Sequence, residues 1–325
     1  MLLSRRAALV AALTVFIAPQ ALSQDYPHRV VTLIVPFAPG GPTDALARMI
    51  QPSLEAKLGV TVVVENVGGG GSTIGTSRVS RAAADGSTLL LHNLAISANP
   101  SLYPKLAFDP EKELVAVGFI NRNALVLVGR NSLPANSIAE LAAWMKSGAT
   151  AKFAYPGVGS TGHLASALTA QAVGAPALFV PYRGGGPALQ DVIAGHADLF
   201  FATTQAAIGP ITSGSAKGFG ITAKEPAKPL PQVPSFVKEL SPKLEISYWH
   251  ALFAPAGTPK ETVGKLNAAL QAIAEDPKML KLWEDSGVEP YPKEQRSVEA
   301  AQKLLHDEVV RWSEVIRDNK IEGQP

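Results

Sequence analysis

Four loops in this chain carry runs of glycine, and each joins a short β-type run to a segment of helical periodicity. They are Pro39-Gly-Gly-Pro42, Gly68-Gly-Gly-Gly71, Gly157-Val-Gly-Ser-Thr-Gly162 and Gly184-Gly-Gly-Pro187. Around the first, Val30 to Val35 is a continuous β-branched run, as a strand buried on both faces should be, and Thr43 to Leu58 has an apolar stripe at helical spacing. Val60 to Glu65 then reads as strand, Thr73 to Ala84 as helix and Thr88 to Leu91 as strand. This alternation predicts parallel sheets with helices on both faces.

The middle of the chain repeats the pattern. Strands are expected at Ala124 to Val128, Phe153 to Tyr155, Leu178 to Val180 and Leu199 to Phe201, with helices at Ser137 to Lys146, His163 to Val173 and Ala188 to Ala194. Ser137 and Glu140 have the spacing of a capping box. From Thr258 onward the pattern is mainly helical: Lys260 to Glu275, Pro277 to Ser286 and Ser297 to Asn319. Two α/β lobes with a helical tail packed back on one of them fit this order. Val35 to Pro42 and Val180 to Pro187 agree at six of eight positions, counting Phe37 with Tyr182, so the lobes share one strand-to-helix turn. The proline-rich stretch from Lys217 to Lys243 reads as a surface excursion. Tyr248, Trp249 and Phe253 read as core aromatics where the chain crosses between lobes.

Glycine admits a ligand close to the backbone, and the helix start that follows offers unpaired N–H groups and a partial positive charge. Such loops bind anions without arginine or lysine. In the first, Pro42 suits a helix start, Thr43 offers a hydroxyl, and Asp44 has the chemistry of a cap or of a partner for a ligand amine or hydroxyl. The third matches the dinucleotide fingerprint G-x-G-x-x-G in the right context, but the acid expected about 20 residues on is missing from Phe179-Val-Pro-Tyr-Arg183. A small-anion site using Ser160, Thr161 and His163 is the better reading.

Catalytic patterns are poor. Ser160 lacks the glycine two positions before it that a nucleophile elbow needs, and the chain has no cysteine, hence no thiolate and no Cys-based metal site. Its six histidines show no metal-ligand spacing, and His196-Ala-Asp198 reads as a surface turn. No catalytic residue, metal or cofactor is expected.

Arg5 and Arg6, the apolar run Ala7 to Ala18, and Ala21-Leu22-Ser23 are the three parts of a secretory signal, with cleavage near Ser23/Gln24 and export to a periplasm. The formal charge of +2 arises from those two arginines alone, leaving 27 bases against 27 acids. A chain of zero net charge has no field to draw it to nucleic acid.

Several segments together resemble one family: VTLIVPFAPGGPTDALAR, VVVENVGGGGSTIG, NPSLYPKLAFDPEKELVAVG, VPYRGGGPALQDVIAGHADLFF and LFAPAGTP. In this order, across the mature chain, they are similar to the Bug-type (TctC-like) periplasmic solute-binding proteins of tripartite tricarboxylate transporters. The resemblance implies a two-lobed α/β periplasmic-binding-protein fold, type II-like, with two doubly wound lobes, a cleft and two chain crossings. Lobe 1 would hold 28–123 plus 250–325, and lobe 2 would hold 124–249. It implies a site built from Phe37, Gly40, Gly41, Thr43 and Asp44, with Asn93 and Ala95, facing Gly159, Ser160, Thr161, His163 and Thr203. The function implied is that of a monomeric receptor passing a small mono-, di- or tricarboxylate to a membrane permease. Two departures, the apolar stretch Asn93 to Ser97 and Tyr155-Pro-Gly-Val, point to a less polar acid. The alternatives are a partner of a sensory receptor binding the same solute, and an exported hydrolase or oxidoreductase using Ser160 and His163.

Overall fold

The computed structural model describes residue 26, residues 30–321 and residue 323, so the export signal read over 1–23 lies outside the described residues. The chain opens with β1 (Val31–Val35), α1 (Pro42–Leu58), β2 (Val62–Asn66), α2 (Thr73–Ser80), β3 (Thr88–Asn93) and α3 (Ala95–Leu102). A long strand, β4 (Leu114–Gly129), leads to α4 (Ile138–Lys146), β5 (Ala151–Tyr155), α5 (Thr161–Val173), β6 (Ala177–Pro181), α6 (Gly185–Ala194), β7 (Leu199–Thr203) and α7 (Thr204–Thr212). β8 (Lys217–Ile221), α8 (Phe236–Glu239) and β9 (Ser247–Pro255) follow, then α9 (Lys260–Ala274), α10 (Pro277–Asp285), β10 (Glu289–Pro290) and α11 (Val298–Asp318).

The strands run in the order β2-β1-β3-β9-β4-β7-β5-β6, with β8 and β10 also paired to β4. β1 pairs β2 and β3 in parallel, and β5 pairs β6 and β7 in parallel. The expectation of purely parallel sheets is corrected here: β9 lies antiparallel between β3 and β4, and β4 is antiparallel to β7 and β8. β4 is the element that joins everything. Its residues from Leu114 to Ala124 pair β9, and from Leu125 to Gly129 they pair β7. Near that change of partner the Thr222 hydroxyl accepts from the Leu125 N–H at 2.9 Å and donates to the Ile246 carbonyl at 2.8 Å, tying the outgoing chain to the returning one.

Local chemistry explains most elements. In β1, Leu33, Ile34 and Val35 are fully buried, because helices cover both faces. Ser137 caps α4 by accepting from the Glu140 N–H at 3.1 Å, while the Glu140 carboxylate reaches back to the N–H of Asn136. α11 buries Ala301, Leu305, Trp312 and Ile316, and the Glu308 carboxylate accepts from the ring N–H of both Trp249 and Trp312 at 3.0 Å. The stretch from Lys217 to Lys243 is not a surface excursion. It contributes β8, and Leu230, Val233 and Phe236 are buried, which its prolines obscured. Among the described residues no helix is long and apolar enough to cross a membrane.

Candidate functional site

A cavity of about 440 Å³ lies between the two groups of strands, lined from one side by Phe37, Gly40 to Thr43 and Asn93 and from the other by Pro156, Ser160 to Gly162, Gly184 to Gly186 and residues of β7 and α7. Its size is that of a small-molecule site. None of the residues lining it is charged: there is no Asp, Glu, Lys, Arg or His. Instead, four helices begin at its wall. Gly41-Pro42-Thr43 starts α1, Ser160-Thr161-Gly162 starts α5, Gly184-Gly185-Gly186 starts α6, and Thr203 precedes α7. Each helix start carries about half a positive charge, so the cavity is electropositive without a cation.

The four starts differ in how their donors are used. Ser160 caps its own helix by accepting from the His163 N–H at 3.3 Å, and Thr203 does the same with Ala206 at 3.3 Å. α1 and α6 begin at Gly41 and Gly184 with no side-chain cap, so their first-turn N–H groups are left for a ligand or water. The Thr161 hydroxyl is buried and has no hydrogen-bond partner. Burial of such a group without a partner is costly, and a bound polar ligand or an ordered water removes the cost.

On the opposite wall the polar side chains are held by one another. The Asn93 amide donates to the Thr43 hydroxyl and to the Tyr248 hydroxyl, each at 3.0 Å, and its oxygen accepts from the Ala95 N–H at 3.0 Å. Thr43 also meets His250 Nε2 at 3.2 Å, and His250 Nδ1 meets the Asn121 oxygen at 2.8 Å. Burial lowers His250 to about 3, with His92 adding to the effect, and burial pushes the Tyr248 hydroxyl up to about 12. This wall is therefore neutral and rigid over the physiological range.

Of the residues expected from sequence, Phe37, Gly40, Gly41, Thr43, Asn93, Ser160, Thr161 and Thr203 line the cavity, and Asp44, Ala95, Gly159 and His163 do not. Asp44 turns back along its own loop. Its carboxylate accepts from the Gly40 N–H at 2.9 Å and from Arg48 Nε at 3.1 and 3.2 Å. Burial would raise its pKa, but the Gly40 N–H and the Arg48 guanidinium outweigh that and hold it below the ordinary value. The carboxylate fixes the loop and keeps its charge out of the cavity. Replacing it in Asp44→Ala should cost about 1–2 kcal/mol of stability, read from the denaturant midpoint, by freeing Gly40; an unchanged midpoint would contradict this role.

Ala95 is buried behind Asn93 and only supplies it an N–H. Gly159 faces Asn99 and Leu102 of α3, away from the cavity. His163 stacks on Tyr155 with ring centroids 4.7 Å apart, facing β6 and the end of the chain, and burial lowers it to about 4. The residues sequence reasoning missed include Tyr248, Gln205, Leu189 and Phe200, and the expected contact set omits the triplet Gly184 to Gly186, although its loop reads as an anion-binding turn. For the triplet the signal was present, in the match between its loop and that of Pro39 to Pro42. For Tyr248 nothing local distinguished it from a core aromatic. Among the described residues no three metal-binding side chains come together, and Asp198 is taken by Arg130 at 2.7 Å.

Fold and cavity together define the mixed α/β architecture of a periplasmic binding protein, with a ligand-sized space at the junction of two sheets. A sequence model described as the tripartite tricarboxylate transporter family receptor, TctC, matches residues 46–321, and the chain belongs to that family. It is a family of binding proteins, not of enzymes, which removes the hydrolase and oxidoreductase alternative. Among curated relatives, Protein BugT of Bordetella pertussis is 32% identical over 322 residues, covering 95% of this chain and 97% of its own length. Among solved structures, the periplasmic binding protein BugD is 36% identical with a TM-score of 0.87, covering 92% of this chain and all of that one. MatC from Rhodopseudomonas palustris, solved with bound malate, is 33% identical with a TM-score of 0.85, covering 90% of this chain and all of that one.

Proposed function

We propose that this protein is a periplasmic receptor that captures a small organic acid between two lobes and delivers it to the membrane permease of a tripartite tricarboxylate transporter. The observation that carries the reading is the charge-free cavity at which four helices begin. Dipoles and N–H groups in that arrangement favour an anion, and a carboxylate can accept from them and from the orphaned Thr161 hydroxyl. MatC, with its bound malate, supports a carboxylate as the ligand class. The signal expected over residues 1–23 would direct export, and the mature chain acts as a monomer.

In this reading lobe 1 comprises 28–123 plus 250–325 and lobe 2 comprises 124–249, joined at β4 and β9. The contact residues are Phe37, Gly40, Gly41, Thr43 and Asn93 on lobe 1, with Ser160, Thr161 and Thr203 on lobe 2. Gly185, Gly186 and Tyr248 complete the set. A ligand touching both lobes favours the closed arrangement, which is what a permease can sense.

A thermal-shift panel of organic acids tests the reading. An acid at 100 times its dissociation constant should stabilise the protein by about 2.7 kcal/mol. Because the lining holds no carboxylate, imidazole or amine, and its one ionisable group, the Tyr248 hydroxyl, is pushed up to about 12, affinity should stay flat from pH 5.5 to 8, and raising salt tenfold from 50 mM should weaken it less than about 3-fold. A panel in which only nucleotides or cations shift the midpoint would remove the proposal, as would a steep loss with salt.

A further inference from the structure

On the wall formed by Thr43, Asn93 and Tyr248, counting protons gives each polar group a direction. The Asn93 oxygen accepts from the Ala95 N–H, which fixes the amide the right way round. Its two N–H groups are therefore the ones that reach the Thr43 and Tyr248 hydroxyls, each at 3.0 Å. Both hydroxyls are acceptors towards Asn93, and Asn93 has no N–H left for a ligand. Each hydroxyl still has one proton to place.

The Thr43 hydroxyl meets His250 Nε2 at 3.2 Å, and His250 Nδ1 meets the Asn121 oxygen at 2.8 Å. Burial keeps this ring neutral, so it carries a single proton. With that proton on Nδ1 and given to Asn121, Nε2 takes the proton of Thr43. With it on Nε2 and the Asn121 amide turned over, Thr43 accepts from both His250 and Asn93. Its two lone pairs are then full, and Tyr248 cannot donate to it. The Tyr248 proton thus has either no acceptor among the described residues or only Thr43 at 3.3 Å, longer than O–H···O bonds run. Tyr248 lines the cavity, its hydroxyl lies between two other lining residues, and its ring stands edge-on to His250 with centroids 4.9 Å apart.

We propose that the Tyr248 hydroxyl donates to the ligand, giving its proton to an acceptor oxygen such as a carboxylate's, and that Asn93 is a positioning residue that holds this hydroxyl by a lone pair and so turns its proton into the cavity. This rests on the receptor reading above. Asn93 lines the cavity, yet its hydrogen bonds all go to protein, and it acts on the ligand through Tyr248.

Thermal shifts with acetate, succinate, malate, adipate and benzoate pick the probe, and calorimetric titration with the acid that shifts the midpoint most tests the assignment. Tyr248→Phe keeps the ring on His250 and deletes the hydroxyl. It should weaken the acid roughly 10- to 150-fold, as loss of a hydrogen bond to a charged group does. Asn93→Ala should cost about 5-fold or more in the otherwise unaltered protein and less than about 2-fold in Tyr248→Phe. An Asn93 that only supported the fold would cost the same in both. In the unaltered protein the tyrosine Fermi doublet of ultraviolet resonance Raman spectra should move towards hydroxyl donation when the acid binds, a reading that needs no variant to fold. An affinity within about 2-fold in Tyr248→Phe, equal losses from Asn93→Ala in the two backgrounds, or an unmoved doublet would overturn the assignment and leave the receptor reading standing. No shift with any of these acids would overturn both.

Discussion

Acid should destabilise this protein steeply as the pH falls from 6.5 towards 4, beginning well above the range in which ordinary carboxylates take protons. Three buried histidines are responsible. Burial lowers His92 and His250 to about 3 and His163 to about 4, so all three are neutral in the fold. In the unfolded chain each would take a proton near pH 6.5. Above that pH neither state binds the proton and the full stability is present. As pH falls below it, the unfolded chain gains protons that the fold refuses, and stability is lost until the folded-state pKa is reached. At pH 5 the loss is roughly 2 kcal/mol for each histidine. Asp44 and Asp109, held below their ordinary values, act in the same direction only at lower pH.

The urea midpoint followed from pH 7.5 to 4.5 measures the effect. A midpoint that stays level down to pH 4.5 would mean that the histidines are charged or exposed. His163→Phe gives a sharper test, since it keeps the stack on Tyr155 and removes one titrating ring, losing only a long hydrogen bond of 3.4 Å from the Gly159 N–H. Its stability should fall less steeply with acid by about one proton's worth, roughly 1.4 kcal/mol per pH unit. His92 and His250 are poor sites for the same test, because their ring nitrogens hold Ser72, Asn121 and Thr43 in place.

Substitution of Gly71 should weaken ligand capture more than it harms the fold. Gly71 lies on the loop before α2 with φ +59°, and it meets the other side of the cleft directly. A Cβ there would stand 2.6 Å from the Val158 carbonyl oxygen and closer still to the Tyr103 hydroxyl, which itself donates to Val158 at 3.1 Å. The tyrosine can swing away. The carbonyl belongs to backbone and can move only if the two sides separate. In Gly71→Val the left-handed backbone costs about 1 kcal/mol in open and closed forms alike. The overlap adds about 1–3 kcal/mol to the closed form alone, which lowers affinity roughly 5- to 150-fold. Tyr103→Phe, which only deletes the hydrogen bond to Val158, should weaken binding several-fold at most. Equal affinities in Gly71→Val and the unaltered protein would show that capture does not need this approach.

The two-lobed α/β plan and much of the candidate site were legible because glycine runs and strand-to-helix alternation are local features. The loops at Gly40 and Gly184, alike in sequence, face one cavity. What failed was the step from position along the chain to direction in space. Asp44 and His163 sit among residues that line the cavity, yet each is the third residue of a helix. From there one folds back to Gly40 and the other turns sideways to Tyr155. β9 was hidden for a different reason. Its residues from Tyr248 to Pro255 are all buried, so no alternation marks them as strand, and its partners β3 and β4 lie more than a hundred residues away.

β4 carries one more consequence. A strand of 16 residues that pairs β9 along one half and β7 and β8 along the other belongs to both sheets at once. Neither half of the molecule can lose its order without unzipping a strand that the other half needs. The protein should therefore melt as one cooperative unit, the more so because one buried cluster runs from Ile34 and Leu90 to Phe153 and Leu199, with a single heat-absorption peak whose calorimetric and van't Hoff enthalpies agree. An acid bound at the cavity should then raise the melting temperature of the whole molecule and not of one half alone.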